Sequence, residues 1–216
     1  MSVITNIRKF WERFEDEQSD LENALIKKEY DTINEIVGGL NEEVNSISGC
    51  SFFVEDVSED FEMTIDPGPN KTSQYIAAQI KKMAPDQVKK TWRINAVLQP
   101  LSQKAIEAAV QIKDETYTLA DLYVFYEIQP QSQTFGVKMY CPGYQLIEND
   151  EYTKEMSMYL LELAIGQTYY EAYISSVEPL TAPLGDTKDF CNLVDFYSLM
   201  QETIEQNHWK EYSSPL

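Results

Sequence analysis

LYVFYEIQPQSQTFGVKMYC, residues 122–141, is the stretch that decides the fold class. Leu122 to Ile128 is an apolar, aromatic run of the kind that fills a central strand. Phe135, Val137, Met139 and Cys141 alternate with Gly136, Lys138 and Tyr140, the period of a half-buried strand. Only the short link Pro130–Gln133 separates the two runs, so they are predicted to pair as an antiparallel hairpin.

Upstream, the same period of two marks Ser51–Val57, then Phe61, Met63 and Ile65, with Ser58, Glu59 and Asp60 as a hairpin turn. Trp92, Ile94, Ala96 and Leu98 mark another strand; Ala105–Ile112 fits helix or strand, and the alternation of Val110 and Ile112 before a turn at Lys113 and Asp114 favours strand over Ala109–Ile112. Downstream, Tyr169–Val177 reads as the last strand because of its aromatic and β-branched content.

Helical spacing brackets these strands. Ile4, Ile7, Phe10, Trp11 and Phe14 form one apolar stripe. Leu21, Leu25 and Ile26 suggest a second short helix capped by Ser19, and Ile33 to Ile47 a third, interrupted by Gly38 and Gly39 and stopped at Gly49. A helix capped by Thr72 or Ser73 runs to Met83. Thr153–Ile165 is apolar nearly all round, which predicts burial on more than one side, and Phe190 to Ile204 is amphipathic. The expected architecture is α+β: an antiparallel sheet of about six strands with N-terminal, middle and C-terminal helices mainly on one face. Residues 1–216 are expected to form a single domain, with a helical N-terminal part over 1–48 and a frayed tail over 208–216. Its one core should hold Trp92, Leu98, Leu122, Val124, Val137, Met139, Leu160 and Leu163.

Composition narrows the function classes. There are 17 Lys+Arg against 36 Asp+Glu, a formal charge of −19, which repels phosphate backbones and anionic membranes and attracts basic proteins. Cys50, Cys141 and Cys191 lack any C-x-x-C spacing and read as unpaired thiols in a reducing, cytoplasmic compartment. Residues 1–10 lack the apolar run of a secretion signal, and no apolar run reaches the roughly 20 residues that span a bilayer. The single histidine, His208, leaves multi-histidine metal sites and a histidine-based nucleophilic triad poorly supplied. No phosphate-binding or dinucleotide fingerprint is written in the eight glycines. No cofactor and no metal are expected. The chain reads as a binding protein and not as an enzyme, with a carboxylate-dependent glycosidase as the third choice.

Charge is segregated. From Lys71 to Lys104 the bases are Lys71, Lys81, Lys82, Lys89, Lys90, Arg93 and Lys104, against the lone acid Asp86. Acid gathers in two other places: Glu55, Asp56, Glu59, Asp60 and Glu62, and Glu148, Asp150 and Glu151. Aromatic residues Phe52, Phe53, Tyr144 and Tyr152 lie beside them and would supply the apolar anchors that charge alone lacks. These eight acids are the candidate partner-binding residues, facing a basic protein. The alternative is a structural or adaptor subunit of a homo- or hetero-oligomer.

The aromatic entry Phe10-Trp11-Glu12-Arg13-Phe14, the pair Ala84-Pro85 followed by WRINAVLQP over 92–100, and the helix end at Leu160–Gly166 before a Tyr-rich segment resemble a family of small acidic bacterial cytosolic proteins. Bacterial immunity proteins include domains of this general look. The resemblance implies neutralisation of a toxin by covering its active site, and it assigns no residues.

Overall fold

The computed structural model describes residues 2–56, 61–101, 109–185 and 189–212. The apolar stripe that begins at Ile7 and Phe10 continues through Phe14, Leu21, Ala24 and Leu25 without a breaker. The first helix, α1, therefore runs uninterrupted over Val3–Lys27, replacing the two helices expected there. Ser2 caps its start, and Lys28, at a left-handed φ of 58°, ends it. Ser19 is an interior residue whose carbonyl accepts from Asn23 Nδ2 at 2.8 Å. The second helix, α2, spans Tyr30–Ser48 and closes on Gly49, at φ 67°.

The glycine pair of α2 has an identifiable use at one position. A Cβ on Gly39 would lie 2.2 Å from Arg13 Nη2. Its absence lets the guanidinium lie against the helix, donating to the Gly39 carbonyl at 3.2 Å and pairing with Glu17 at 3.0 Å and Glu43 at 3.6 Å.

Strands β1 (Ser51–Asp56) and β2 (Phe61–Asp66) pair antiparallel as expected; their connecting turn lies outside the described residues. Helix α3, Lys71–Lys82, is capped by Asn70, which accepts from Thr72 N at 2.9 Å and Ser73 N at 3.2 Å, so the cap sits earlier than expected. Strand β3, Trp92–Asn95, then pairs parallel to β2, giving the order β1-β2-β3. Alternation sends Met63, Ile65, Phe52 and Ile94 into a cluster with Phe10, Phe14 and Ile80. Trp11 Nε1 donates to the Ile80 carbonyl at 2.9 Å, and Trp92 Nε1 to Glu22 at 2.8 Å, so both indoles are satisfied as they are buried.

A separate unit follows. Strands β4 (Ala109–Ile112) and β5 (Glu115–Thr118) form a hairpin, with Lys113 at φ 55° in its turn. The hairpin of β6 (Tyr123–Gln129) and β7 (Thr134–Tyr140) stands where the sequence reading put it. Helix α4 covers Asp150–Ile165 and α5 Gln167–Tyr173; β8 (Ile174–Leu180) pairs parallel to β7, and β9 (Phe190–Asn192) antiparallel to β6. Helix α6, Leu193–Gln206, closes the unit. The sheet order is β8-β7-β6-β9.

The expected strand Tyr169–Val177 is thus a correction. Its aromatic half is helix α5, and only Ile174 onward is strand. Gly166, at φ 78°, ends α4, and a Cβ there would sit 2.7 Å from Pro100 Cδ. Tyr169 and Tyr173, four apart, then pack with ring centroids at 5.5 Å, a helical pairing.

Among the described residues the fold is α+β, with six helices and nine strands. The strands form three sheets of three, two and four, not one antiparallel sheet of six, and β2 and β7 each pair in parallel with a distant segment. The chain divides into two compact units, 1–98 and 99–215, each with its own apolar cluster. Trp92 belongs to the first, whereas Leu122, Val124, Val137, Met139 and Leu160 share the second with Leu193, Phe196 and Met200. Leu163 is only half-buried. The expected frayed tail is another correction as far as Tyr212. Trp209 is buried against Phe135 and Tyr173, and the Tyr173 hydroxyl donates to the Lys210 carbonyl at 2.7 Å and accepts from Tyr212 N at 3.2 Å. No helix among the described residues is long and apolar enough to cross a membrane.

Candidate functional site

Helix α4 starts with its charges well placed. Asn149 caps it, accepting from Glu151 N at 3.0 Å and Tyr152 N at 3.2 Å. Asp150 and Glu151 occupy the first turn, where carboxylates complement the helix dipole, and both are exposed. One face of the helix is buried through Thr153, Ser157, Leu160, Leu161 and Ala164. Ser157 Oγ lies 2.8 Å from the Tyr144 hydroxyl, and burial pushes that phenol's pKa up.

A second stripe of α4 is less covered by the described residues. Tyr152, Met156, Tyr159 and Leu163 recur at spacings of four, three and four and line an open cleft of about 580 Å³. Its opposite wall is β4, through Ala109, Val110 and Gln111, with the buried Leu119 alongside. Tyr152 is 53% and Tyr159 59% exposed. The cleft continues, through the shared residues Gln111, Tyr152 and Met156, into a second part of about 400 Å³ bounded by Lys113, Leu146, Ile147, Glu148 and Asn149. Glu155 lines the first part and Glu148 the second.

The β4–β5 wall is seated on the 3₁₀ turn Pro142–Leu146. A Cβ on Gly143 would lie 2.5 Å from Tyr117 Cε2 and 2.7 Å from Ile112 Cδ1. Glycine is what lets the hairpin approach this closely. Tyr117 donates to Glu115 on the exposed side, and that bond pushes the phenol up to about 12.

The sequence-predicted residues divide. Glu148 is exposed and lines the groove with Tyr152; Asp150 and Glu151 are exposed in the first turn of α4 but do not line it. Tyr144 is fully buried and is no surface anchor. On the other unit, Glu62 is 9% exposed; its carboxylate accepts from Asn95 Nδ2 and pairs with Arg93 Nη1 at 3.7 Å. That is an internal arrangement: register places Arg93 beside Glu62, and Asn95, also buried, needs the acceptor. Glu55 is half-buried opposite Glu62 on β1, and desolvation followed by the Glu62 charge raises its pKa. Phe52 is buried in the core. Asp56 ends β1, and Glu59 and Asp60 lie outside the described residues. The two acidic sets belong to different units.

Sequence reading assigns Glu155, Met156 and Tyr159 to no site and places Leu163 in the core. The signal was present as two exposed tyrosines, seven apart, on a helix otherwise rich in core residues.

The three thiols are unpaired. Cys50 and Cys141 are buried; Cys191 is held up to about 12 by burial and then by Asp195. Thiols raised in this way are poor nucleophiles. Comparison with protein-family models, curated proteins and solved structures finds no match to this chain.

Proposed function

We propose that the chain is an acidic protein-binding domain that holds a basic protein stoichiometrically, as an immunity-type or antitoxin-like inhibitor does. The observation that carries this reading is the α4 groove. Exposed Tyr152 and Tyr159 stand in an apolar cleft bordered by Glu148 and Glu155 and flanked by Asp150 and Glu151. Aromatic anchors in a cleft supply the affinity of most protein interfaces, and surrounding charge sets the association rate and rejects wrong partners. The net charge of −19 extends that steering to long range. Unpaired thiols fit a cytoplasmic setting.

A photo-crosslinking amino acid at position 159 tests this in native extract, with position 75 as the control, since Tyr75 is equally exposed but sits on α3 of the other unit. A basic protein should be captured from position 159 and not from 75. Replacing Glu148, Asp150, Glu151 and Glu155 by their amides should then slow its association more than it speeds dissociation, and the difference should fade at high salt. Equal capture from both positions would sink the reading. The apolar lining of the groove favours a second reading, an adaptor subunit in an oligomer, in which association would be indifferent to salt.

A further inference from the structure

We propose that the groove's occupant is an extended polypeptide segment alternating apolar and basic residues, which adds as a strand to the free edge of β4; this rests on the groove reading above. The argument starts from the hairpin. Ile112 faces Glu115 across the turn Lys113–Asp114, and Val110 faces Tyr117. Residues that flank a two-residue hairpin turn exchange both backbone hydrogen bonds, and bonded pairs alternate along the ladder. Ile112 and Val110 are therefore committed to β5, whereas Ala109 and Gln111 direct their peptide groups to the opposite edge. Among the described residues no other strand pairs with β4.

That open edge looks into the groove. Ala109, Val110 and Gln111 line its first part, and no residue of β5 does. β4 also runs against α4: Ala109 shares the first part with Tyr159 and Leu163, and Lys113 shares the second with Glu148 and Asn149. From Tyr152 to Leu163 the apolar stripe extends about 16 Å along the helix axis, a length that a strand of about five residues covers. A strand laid between β4 and α4 would turn alternate side chains onto Tyr152, Met156 and Tyr159. The intervening side chains would meet solvent and the acids. Among the charged residues that line the groove, Glu148 and Glu155 outnumber Lys113, so the favoured charge on those side chains is positive. A second copy of this chain carries −19 itself and fits less well.

The probe is a synthetic peptide of about eight residues alternating valine or leucine with lysine, long enough to cover the edge. Binding to the full chain is followed by fluorescence anisotropy and by amide hydrogen exchange. Bound peptide should protect the amides of Ala109 and Gln111 and leave those of Val110 and Ile112 unchanged. N-methylation of alternate peptide amides, or Gln111→Pro in the chain, should weaken binding about tenfold or more, because each removes an edge donor. The N-methylated peptide keeps the test valid where Gln111→Pro disturbs folding. If both bind like their parents while Tyr159→Ala still weakens binding, strand addition is wrong and the groove reading stands. Tighter binding of the same residues rearranged at helical spacing would also overturn strand addition. Equal binding of a glutamate-for-lysine peptide would overturn the charge assignment. No binding by any of these peptides at about 1 mM, an affinity below any useful range, would remove both proposals. Concentration-dependent dimerisation that blocks the groove would assign it to a second copy and overturn the basic-segment proposal.

Discussion

The β1–β2 hairpin and the start of α4 are both acid-rich stretches next to aromatic residues, and they fold with different outcomes. On β2, alternation puts Glu62 on the face away from the core cluster, yet that face is closed, and Glu62 ends up buried between Arg93 and Asn95. On α4, the first turn holds Asp150 and Glu151 at the positive end of a helix dipole, and both remain exposed. The aromatic neighbours separate less cleanly: Phe52 is core and Tyr152 is open, but Tyr144 beside the α4 acids is buried as well. Density of acid therefore does not decide exposure; the element's period and its neighbours decide whether acid and aromatic are exposed together.

The strongest way to break the comparison is to cut α4 on its two sides. Leu160 is 5% exposed within the second cluster, and Leu160→Ala should cost about 2–5 kcal/mol in urea unfolding. Its neighbour Tyr159 should tell the reverse story. Tyr159→Ala should leave stability within about 0.5 kcal/mol and weaken binding of the valine–lysine peptide by about tenfold or more. A large stability loss at Tyr159 would mean that the outer stripe is structural.

A second cut compares acid with acid. Glu62→Ala should destabilise by about 1–3 kcal/mol, because the buried Asn95 amide loses its acceptor. Glu151→Ala removes only a favourable charge from an exposed first turn and should cost about 0.3–1 kcal/mol. Equal losses in the two denaturation curves would erase the distinction between an internal and a surface acid.

Local periodicity carried much of this structure. The Leu122–Cys141 hairpin, the β1–β2 pair and α4 follow directly from spacings of two and of three and four. Parallel pairings were not legible, since β2 meets β3 only after the α3 crossover and β7 meets β8 only after two helices. Tyr169–Tyr173 was misread because aromatic content suggested strand, while the packing of Tyr169 on Tyr197, with centroids at 4.8 Å, stabilises a helix. Of the site, Tyr152 and its acids were legible as a charge pattern. Met156, Tyr159 and β4 were not, because a helix that is apolar nearly all round gives no sign of which stripe lacks a neighbour.

The smallest effect concerns Glu55, a hairpin acid whose surroundings disfavour its charge. It is half-buried, and Glu62 faces it across the β1–β2 ladder. Desolvation and then that like charge raise its carboxyl pKa above the usual value of 4.5. The folded state consequently holds this proton more tightly than the unfolded chain does. Stability attributable to Glu55 is thus intact below the unfolded pKa and declines as pH rises through the folded one. The isosteric Glu55→Gln removes the charge without removing bulk. At about pH 7 the variant should melt slightly higher than the parent, and the gain should shrink to nothing by about pH 3, where both states of Glu55 are protonated. Thermal melts of both proteins across that pH range give the answer. A gain that persists at low pH would trace to packing, and a loss at neutral pH would mean that the Glu55 carboxylate has a favourable partner, bringing the hairpin back as a charged surface comparable to α4.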